Sequence, residues 1–412
     1  MLPIVPVPPL SLAEYSEAAG AEAIESLREA ARSLSGARVL HVNSTAFGGG
    51  VAELLFTHVA LMNDLGVETA WQVIEGSDDF FTVTKFAHNG LQGAQVAWTP
   101  QMEELYIERC RSNAASLAQG YDYVIVHDPQ PAGMLSVLEE QGNRNGKWVW
   151  RCHIDLTAPF PPVWNFFSSQ VDPYDAVVFT LEDYLPPRLE GPRAFTIPPS
   201  IDPQSLKNTF IDSLTVYGVL SRYGVDRGRP IATQVSRFDP WKDPVGVIDA
   251  YRLAKKEVPE LQLLLVGSMA HDDPEGWHYL QVTEAHRDGD PDIFLLSNLQ
   301  EVGSLEVNAF QRASSVVLQK SAREGFGLVV SEALWKEAPV IGGNVGGIRL
   351  QIEDGVSGFL VDSVEDCTER IIRLLEDGQL RTQMGRAGRE RVRERFLATR
   401  EVEDQLRMLA SL

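Results

Sequence analysis

Short apolar runs alternate with helix-like amphipathic segments along most of the 412-residue chain. In the first half these runs lie at 38–43, 69–74, 123–128, 148–155 and 176–180. A second series lies at 230–236, 261–266, 293–296, 315–318 and 339–341. Strands that alternate with helices form parallel sheets covered on both faces. The pattern predicts an α/β protein with two tandem Rossmann-like, doubly wound domains that face each other across a cleft.

A proline-rich segment between the two series marks the domain boundary. The segment 195–203 contains Pro198, Pro199 and Pro203, which resist continued regular structure. We place the first domain at 1–205 and the second at 206–385. A charged helical segment, 386–412, is long enough to cross back onto the first domain.

The densest candidate site is the turn that follows the apolar run at 315–318. Glu324, Gly325 and Gly327 lie between that predicted strand and a helix, and Glu332 lies inside the helix. A helix amino end offers free N–H groups and positive potential to an anion. The two carboxylates can bind sugar hydroxyls, and the helix amino end can bind phosphate. Together these properties indicate a nucleotide sugar as the ligand.

Two further loops also follow the carboxyl end of a predicted strand, and their residues are suited to phosphate binding. Arg237 and Lys242 follow the strand at 230–236, and an arginine with a lysine suits a diphosphate leaving group. The loop Gly48-Gly49-Gly50 permits close backbone approach to a phosphate or sugar. It matches neither the P-loop nor the dinucleotide fingerprint, and an ordinary tight turn is the alternative.

Polar residues at two strand ends of the first domain are candidates for sugar binding. His127, Asp128 and Gln130 cluster after one strand, where several side chains can contact hydroxyls. His153 ends the next apolar run, and Asp155 would point the same way if that strand continued. A structural role is the alternative for a lone strand-end histidine.

Composition narrows the class of ligand and the compartment. Lys and Arg total 36 against 57 Asp and Glu, a net charge of −21. Such a surface argues against nonspecific binding to nucleic acid or anionic membranes. No apolar run is long enough for a membrane span, and the first residues lack a signal peptide's features. Three scattered cysteines indicate thiols in a reducing compartment, so we expect a cytoplasmic protein.

No metal site is predicted. The acidic turn Asp288 to Asp292 has the composition of a hard-cation site, but it begins a strand and a solvated loop is the favoured interpretation. The histidines are too dispersed for a zinc pattern. A divalent ion such as Mg²⁺ can still act as a counterion to a diphosphate.

Arg237, Lys242 and the Glu324–Glu332 element together resemble the family four retaining glycosyltransferases, which have two Rossmann-like domains (the GT-B fold). The resemblance covers nearly the whole chain. Further stretches look similar to the trehalose glycosyltransferring synthases: 41–50, 127–131, 150–156 and 198–208.

The resemblance implies a role for each candidate. The residues implied in catalysis are His153, Arg237, Lys242 and Glu324. The residues implied in donor binding are Gly48, Gly49, Gly50, Gly325, Phe326, Gly327, Leu328 and Glu332. The residues implied in acceptor binding are His127, Asp128, Gln130 and Asp155.

The implied reaction joins NDP-glucose and glucose into α,α-trehalose with release of NDP, in a direction that stays open. There are four alternatives. Two are related enzymes: trehalose phosphorylase, or another family four glycosyltransferase with a different acceptor. The other two are a sugar-nucleotide epimerase and a non-enzymatic sugar-nucleotide sensor. Relatives of this kind often form dimers. Base preference and oligomeric state stay open at this point.

Overall fold

A computed structural model describes residues 1–47, 49–189, 191, 193–269 and 274–412. Strands β1 to β12 are Arg38–Asn43, Glu68–Val73, Tyr123–His127, Lys147–Arg151, Ala176–Phe179, Ala194–Thr196, Ile231–Val235, Gln262–Gly267, Ile293–Ser297, Val316–Gln319, Val340–Gly343 and Gly358–Val361. Helices α1 to α16 are Ser16–Ala19, Ala21–Arg32, Gly50–Asp64, Asp78–Leu91, Pro100–Ala115, Met134–Glu140, Pro161–Val171, Ser213–Arg222, Pro244–Lys255, Pro274–Arg287, Ser304–Ala313, Leu328–Trp335, Gly346–Gln351, Val364–Glu376, Gly378–Arg395 and Ala398–Ala410.

The chain forms two compact units, residues 1–200 with 398–412 and residues 201–397. The boundary therefore lies at Ser200/Ile201, where the sequence placed it at 205/206. The segment predicted as one helix, 386–412, is interrupted between α15 and α16. The Phe396 carbonyl leaves the helical pattern and accepts from Ile201 N at 2.8 Å. As a result α15 stays in the second unit and α16 packs in the first.

Each unit contains one six-stranded parallel sheet. The order is β2-β1-β3-β4-β5-β6 in the first unit and β12-β11-β10-β7-β8-β9 in the second. Every strand pair is parallel. The predicted α/β class with two parallel-sheet domains is confirmed.

Both faces of each sheet are covered, which explains why the strands read as continuous apolar runs. In β1, Leu40 and Val42 belong to one buried cluster and Val39 to the cluster on the opposite face. In β8, Leu263 and Leu265 belong to one cluster and Leu264 to the other. The cluster around Val39 includes apolar residues of α2 and α16, so α16 forms part of the first unit's core.

Strand order reverses between β1 and β3 in the first unit and between β7 and β10 in the second. Ligands of open α/β sheets bind beyond the carboxyl ends of strands at such points. His127 is the last residue of β3, and the loops after the other three strands carry the glycine loop, Lys242 and Glu324. The residues that the sequence predicted as site residues therefore lie where the topology predicts a ligand site. Among the described residues, no helix has the combined length and hydropathy of a membrane span.

Candidate active site

An ion pair between Lys242 and Glu324 forms the centre of the second unit's site. Lys242 Nζ lies 2.6 Å from Glu324 Oε2, and both side chains are mostly buried. The same carboxylate oxygen accepts from Gln319 Nε2 and Ser321 Oγ, each at 3.2 Å. Three donors thus converge on one oxygen, which fixes the carboxylate and lowers its availability as a nucleophile.

The loops after β7 and β10 are fastened to each other. Ala322 N donates to Trp241 O at 2.7 Å, and Lys320 forms an ion pair with Asp243. Gln234, within β7, donates from Nε2 to Lys242 O at 2.7 Å. Gln234 thus holds the Lys242 carbonyl directly, and the other two contacts hold Trp241 and Asp243 on either side of it.

The turn from Gly325 to Leu328 depends on two glycines, one within the turn and one packed against it. Gly327 has φ of 82°, the left-handed region, and precedes α12 at its amino end. A Cβ on Gly347 would lie 2.4 Å from Phe326 Cα, so only glycine permits this approach. Gln351 Nε2 donates to Phe326 O at 2.6 Å and fixes the turn from the buried side.

Glu332 is buried on α12 and paired with a lysine. Its Oε1 lies 3.4 Å from Lys207 Nζ. The next turn carries Lys336, whose Nζ donates to Glu332 O, Asn208 Oδ1 and Gln311 Oε1 at 2.8–2.9 Å. Burial lowers the pKa of Lys336 to about 7, and the nearby Glu332 carboxylate opposes this shift.

Arg237 does not join the Lys242–Glu324 pair. Its side chain is 69% exposed, and Nη2 lies 3.5 Å from Asp239 Oδ2. Asp239 in turn accepts from Lys242 N at 3.1 Å. Arg237 is therefore next to the site, with a guanidinium that is still largely solvated.

An apolar pocket of about 520 Å³ opens beside the carboxyl end of β9. Phe238, Trp277 and Leu295 supply much of its apolar lining, and Ser297 and Gln300 add polar atoms. The pocket lies in the second unit, on the β8–β9 side of its sheet.

In the first unit, part of the glycine loop can be located. Gly49 precedes α3 and Gly50 is its first residue, and both are exposed. Gly48 lies outside the described residues. A Cβ on Gly49 would meet no atom of the described residues within 4 Å, so there is open space on that side of Gly49.

Three stacked histidine rings form a column that runs from β1 and β3 to the segment just after β4. His41 Nδ1 lies 2.9 Å from His127 Nε2, and His127 Nδ1 lies 3.0 Å from His153 Nε2. Burial lowers the pKa of His41 and of His153 to about 3 and that of His127 well below its usual value, with nearby cationic groups adding to the shift. All three rings are therefore neutral near pH 7.

The acceptor-binding candidates His127, Asp128 and Gln130 lie on one segment beside His153. Asp128 has φ of 64° and accepts from His153 N at 2.8 Å through Oδ1. Burial raises the Asp128 pKa to about 6, against the opposing effects of the His153 N–H and Arg151. Gln130 Oε1 is buried and accepts no hydrogen bond from the residues that the structure describes. An oxygen of this kind can accept from a ligand hydroxyl.

Asp155 contacts Thr157 within its own turn. Its Oδ1 accepts from Thr157 N at 2.8 Å and from Thr157 Oγ1 at 2.5 Å. The strand β4 ends at Arg151, so the condition on which Asp155 was assigned, a continuing strand, is wrong. Beyond Arg151, the backbone N–H of His153 donates to the Asp128 side chain.

A buried charge cluster lies behind the histidine column. Arg151 Nη2 donates to Glu401 Oε1 of α16 at 2.8 Å, and Ser200 Oγ donates to Glu401 Oε2 at 2.6 Å. His58 Nε2 lies 3.2 Å from the same carboxylate. Burial raises the pKa of Glu401, but the interactions with His58 and Arg151 outweigh burial and hold this pKa well below its usual value. The ion pair anchors α16 to the edge of the site.

The acidic turn at 288–292 is occupied by protein cations. Lys255 Nζ lies 2.7 Å from Asp292 and 3.4 Å from Asp290, and Arg229 lies 2.7 Å from Asp292. Among the described residues, no group of three or more histidines, cysteines and acids could hold a metal ion. The turn serves as an ion-pair network at the start of β9.

Several residues that shape the site were not predicted. Gln319 and Gln351 lie within buried elements, where sequence gives no sign that their amides hold a loop. His41 lies in an apolar strand, two residues after Val39. This spacing shows only that the two side chains point to the same face of the sheet. Arg151 and Glu401 are 250 residues apart in the chain. A charge in an apolar run is the one signal that could have indicated a buried partner for Arg151.

Two protein-family descriptions match the chain. "Trehalose synthase, N-terminal domain" matches residues 41–186, and "Glycosyl transferases group 1" matches residues 221–391. The first match contains His127 and His153, and the second contains Lys242 and Glu324.

Known proteins match along the full length. Trehalose synthase of Rubrobacter xylanophilus is 49% identical over 98% of this chain and 97% of its own. Trehalose synthase of Thermococcus litoralis is 48% identical over 97% of each chain. The crystal structure of a UDP-forming α,α-trehalose-phosphate synthase from Burkholderia xenovorans in complex with glucose-6-phosphate has a TM-score of 0.74 at 14% identity, over 91% of this chain and all of that one. It shows the GT-B fold. On these matches and this geometry, the chain is an enzyme of the glycosyltransferase type and belongs to the trehalose synthase family.

Proposed function

We propose that this glycosyltransferase transfers glucose, with retention of configuration, from a nucleoside-diphosphoglucose to free glucose. The products are α,α-trehalose and NDP, and the same site can run the transfer in reverse. The observation that carries the proposal is the Lys242–Glu324 pair, held 2.6 Å apart beside the amino end of α12. It combines fixed positive charge for a diphosphate with a carboxylate for sugar hydroxyls.

Lys242 is the group that stabilises the departing diphosphate. As the bond from the sugar C1 to the phosphate oxygen breaks, negative charge grows on that oxygen, and a cation already in place lowers the barrier. The acceptor oxygen attacks C1 from the same face, and the leaving phosphate oxygen takes the acceptor's proton. Glu324 binds donor hydroxyls in this scheme. The three donors on its Oε2 disfavour a covalent role.

The remaining donor contacts follow from the second unit. The amides of Gly325 to Leu328 bind phosphate and sugar oxygens, and Glu332 binds the ribose hydroxyls. The apolar pocket next to Ser297 accommodates the flat base. A divalent ion such as Mg²⁺ serves at most as a counterion, because the Lys242 ammonium already supplies charge at the leaving group.

The acceptor contacts are assigned to the first unit. Asp128 and Gln130 offer oxygen acceptors, and the neighbouring histidines are neutral rather than cationic. A carboxylate beside neutral rings suits hydroxyl groups and repels a phosphate. This chemistry supports unphosphorylated glucose as the acceptor in preference to a sugar phosphate.

The nucleotide requirement tests the proposal. Purified enzyme is incubated with glucose and either an NDP-glucose or glucose 1-phosphate, and disaccharide is measured. We expect disaccharide only with the nucleotide donor. Disaccharide formed from glucose and glucose 1-phosphate, without nucleotide, would identify a phosphorylase. Turnover of the NDP-glucose in a sample without glucose would identify an epimerase.

A further inference from the structure

The histidine column runs from the interior of the first unit to the strand end at His153. His41 and His127 are buried, whereas His153 is partly exposed. Each contact between rings joins one nitrogen of each, at 2.9 Å and 3.0 Å. A neutral imidazole has one N–H donor and one acceptor nitrogen. Each ring must therefore donate in one direction and accept in the other, and all three tautomers are set together.

The deep end of the column decides that direction. Gln405 of α16 places its Nε2 3.5 Å from His41 Nε2 and 3.3 Å from Met62 Sδ. A thioether sulfur can only accept, so the nitrogen of the Gln405 amide, rather than its oxygen, belongs at this position. The amide then donates to His41 Nε2, which leaves the proton of His41 on Nδ1.

The direction passes along the column from this start. His41 Nδ1–H donates to His127 Nε2, and His127 Nδ1–H donates to His153 Nε2. The proton of His153 is then on Nδ1. Among the described residues no protein group is hydrogen-bonded to that nitrogen, so its N–H is available to a ligand.

We propose that Gln405 is a positioning residue that acts through His41 and His127 to hold His153 as an Nδ1–H donor for an oxygen of the bound sugar. The sugar as ligand rests on the proposed function; the tautomer does not. If the Gln405 amide were reversed, all three tautomers would reverse with it. His153 Nδ1 would then carry a lone pair, which would repel a sugar oxygen that has no proton to give. The Arg151–Glu401 ion pair and the packing of Val402 and Leu406 keep α16, and with it Gln405, in place.

Neutrality is a condition for this relay, since an imidazolium donates from both nitrogens. Burial and the charge of Arg151 both favour the neutral His153. His58 and Arg151 act in the same way on His41. The Glu401 carboxylate opposes the shift at His153, but it is already paired with Arg151.

Nitrogen NMR of the ligand-free enzyme tests the proposal without any substrate. Protein labelled with ¹⁵N-histidine is examined by long-range ¹H–¹⁵N correlation, and the His153 signals are assigned by their loss in His153→Asn. We expect a protonated Nδ1 and an unprotonated Nε2. A protonated Nε2 in the wild-type protein would overturn the proposal, whatever the enzyme is found to synthesise.

A variant pair separates the relay from helix docking. Gln405→Leu removes the donor, so His153 should lose its single Nδ1–H tautomer and turnover should fall by ~10-fold or more, toward the ~10²-fold loss of one positioned donor. Glu403→Gln is the matched control, because Glu403 contacts Ser26 on α2 and not the column. It should leave tautomer and turnover unchanged. A folded Gln405→Leu enzyme with an unchanged His153 spectrum would refute the relay, and the wild-type spectrum decides if that variant fails to fold.

Discussion

Lys242 is the side chain whose loss should affect turnover most. Its ammonium is fixed by Glu324, and its backbone is held by Gln234 and Asp239. Lys242→Ala removes the charge at the leaving group, so we expect kcat to fall by ~10²-fold or more. Steady-state assay of NDP release gives the measurement, with exposed Lys256→Ala as the control. Near-normal turnover in Lys242→Ala would remove Lys242 from the mechanism.

Glu324 separates the two routes to retention. In same-face transfer it only binds the donor, so Glu324→Gln should turn over slowly but measurably and should not accumulate a covalent intermediate. Mass spectrometry of wild-type enzyme quenched during turnover is the direct check. A glucosyl group attached to Glu324 would establish double displacement instead.

Lys336 provides a prediction about stability and pH. Its pKa is lowered to about 7, whereas a lysine in the unfolded chain titrates near 10.5. Between these values the unfolded state binds more protons, so the free energy of unfolding should rise with pH by up to about 1.4 kcal/mol per unit. Urea unfolding from pH 7 to 9.5 measures this against Lys336→Met, which lacks the rise. Parallel curves for the two proteins would show that the buried ammonium keeps its charge.

At this scale the sequence identified polar residues that end or follow a strand better than polar residues that continue a buried apolar run. Lys242, Glu324 and His127 were found because polar groups at a parallel strand's carboxyl end share one edge of the sheet. His41 lies within buried β1 and Gln319 ends buried β10, and both continue an apolar run that marks only the face of the sheet. Their contacts depend on three-dimensional neighbours that spacing along the chain does not reveal.

At the scale of elements, α16 is held to the first unit by a buried ion pair. Its Glu401 is buried with Arg151, Ser200 and His58 in contact. Glu401→Gln leaves the Arg151 charge buried without a counterion, so we expect a loss of about 3–5 kcal/mol in the free energy of unfolding. Because the Glu401 pKa is lowered on folding, its contribution is present at neutral pH and should be lost as pH falls below the usual range of a glutamate.

Two comparison variants make that measurement specific. Asp404→Asn breaks the partly exposed pair with Arg400 on the same helix and should cost less than about 1 kcal/mol. Replacing both partners, Arg151→Met with Glu401→Leu, should recover much of the loss. Equal costs for Glu401→Gln and Asp404→Asn would contradict a special role for the buried pair.

Element positions were predicted well where a long apolar run met a clear turn signal. β1, β3 and β9 were placed almost to the residue. β6 and β12 were not recognised as strands: β6 has three residues and runs into the proline-rich boundary segment, and the four residues of β12 begin with a glycine. The break between α15 and α16 was missed because the charged pattern continues through Phe396, whose carbonyl instead binds the start of the second unit.

At the scale of the whole molecule, each sheet places most of its candidate residues at or next to the point where strand order reverses. The first unit offers oxygen acceptors and neutral imidazoles, and the second offers cations, a glycine turn and carboxylates. This division of chemistry supports a sugar acceptor in one unit and a nucleotide-sugar donor in the other. The sequence predicted this division. It could not choose the acceptor from first principles, because hydroxyl recognition depends on the spacing of side chains in three dimensions.

The most direct test is to identify and count the products formed from glucose and a panel of NDP-glucoses. Disaccharide configuration is determined by NMR, and NDP released in the same samples is quantified with and without inorganic phosphate. The account predicts α,α-trehalose in one-to-one ratio with NDP, independent of phosphate. A different disaccharide, or trehalose that forms without release of NDP, would contradict it.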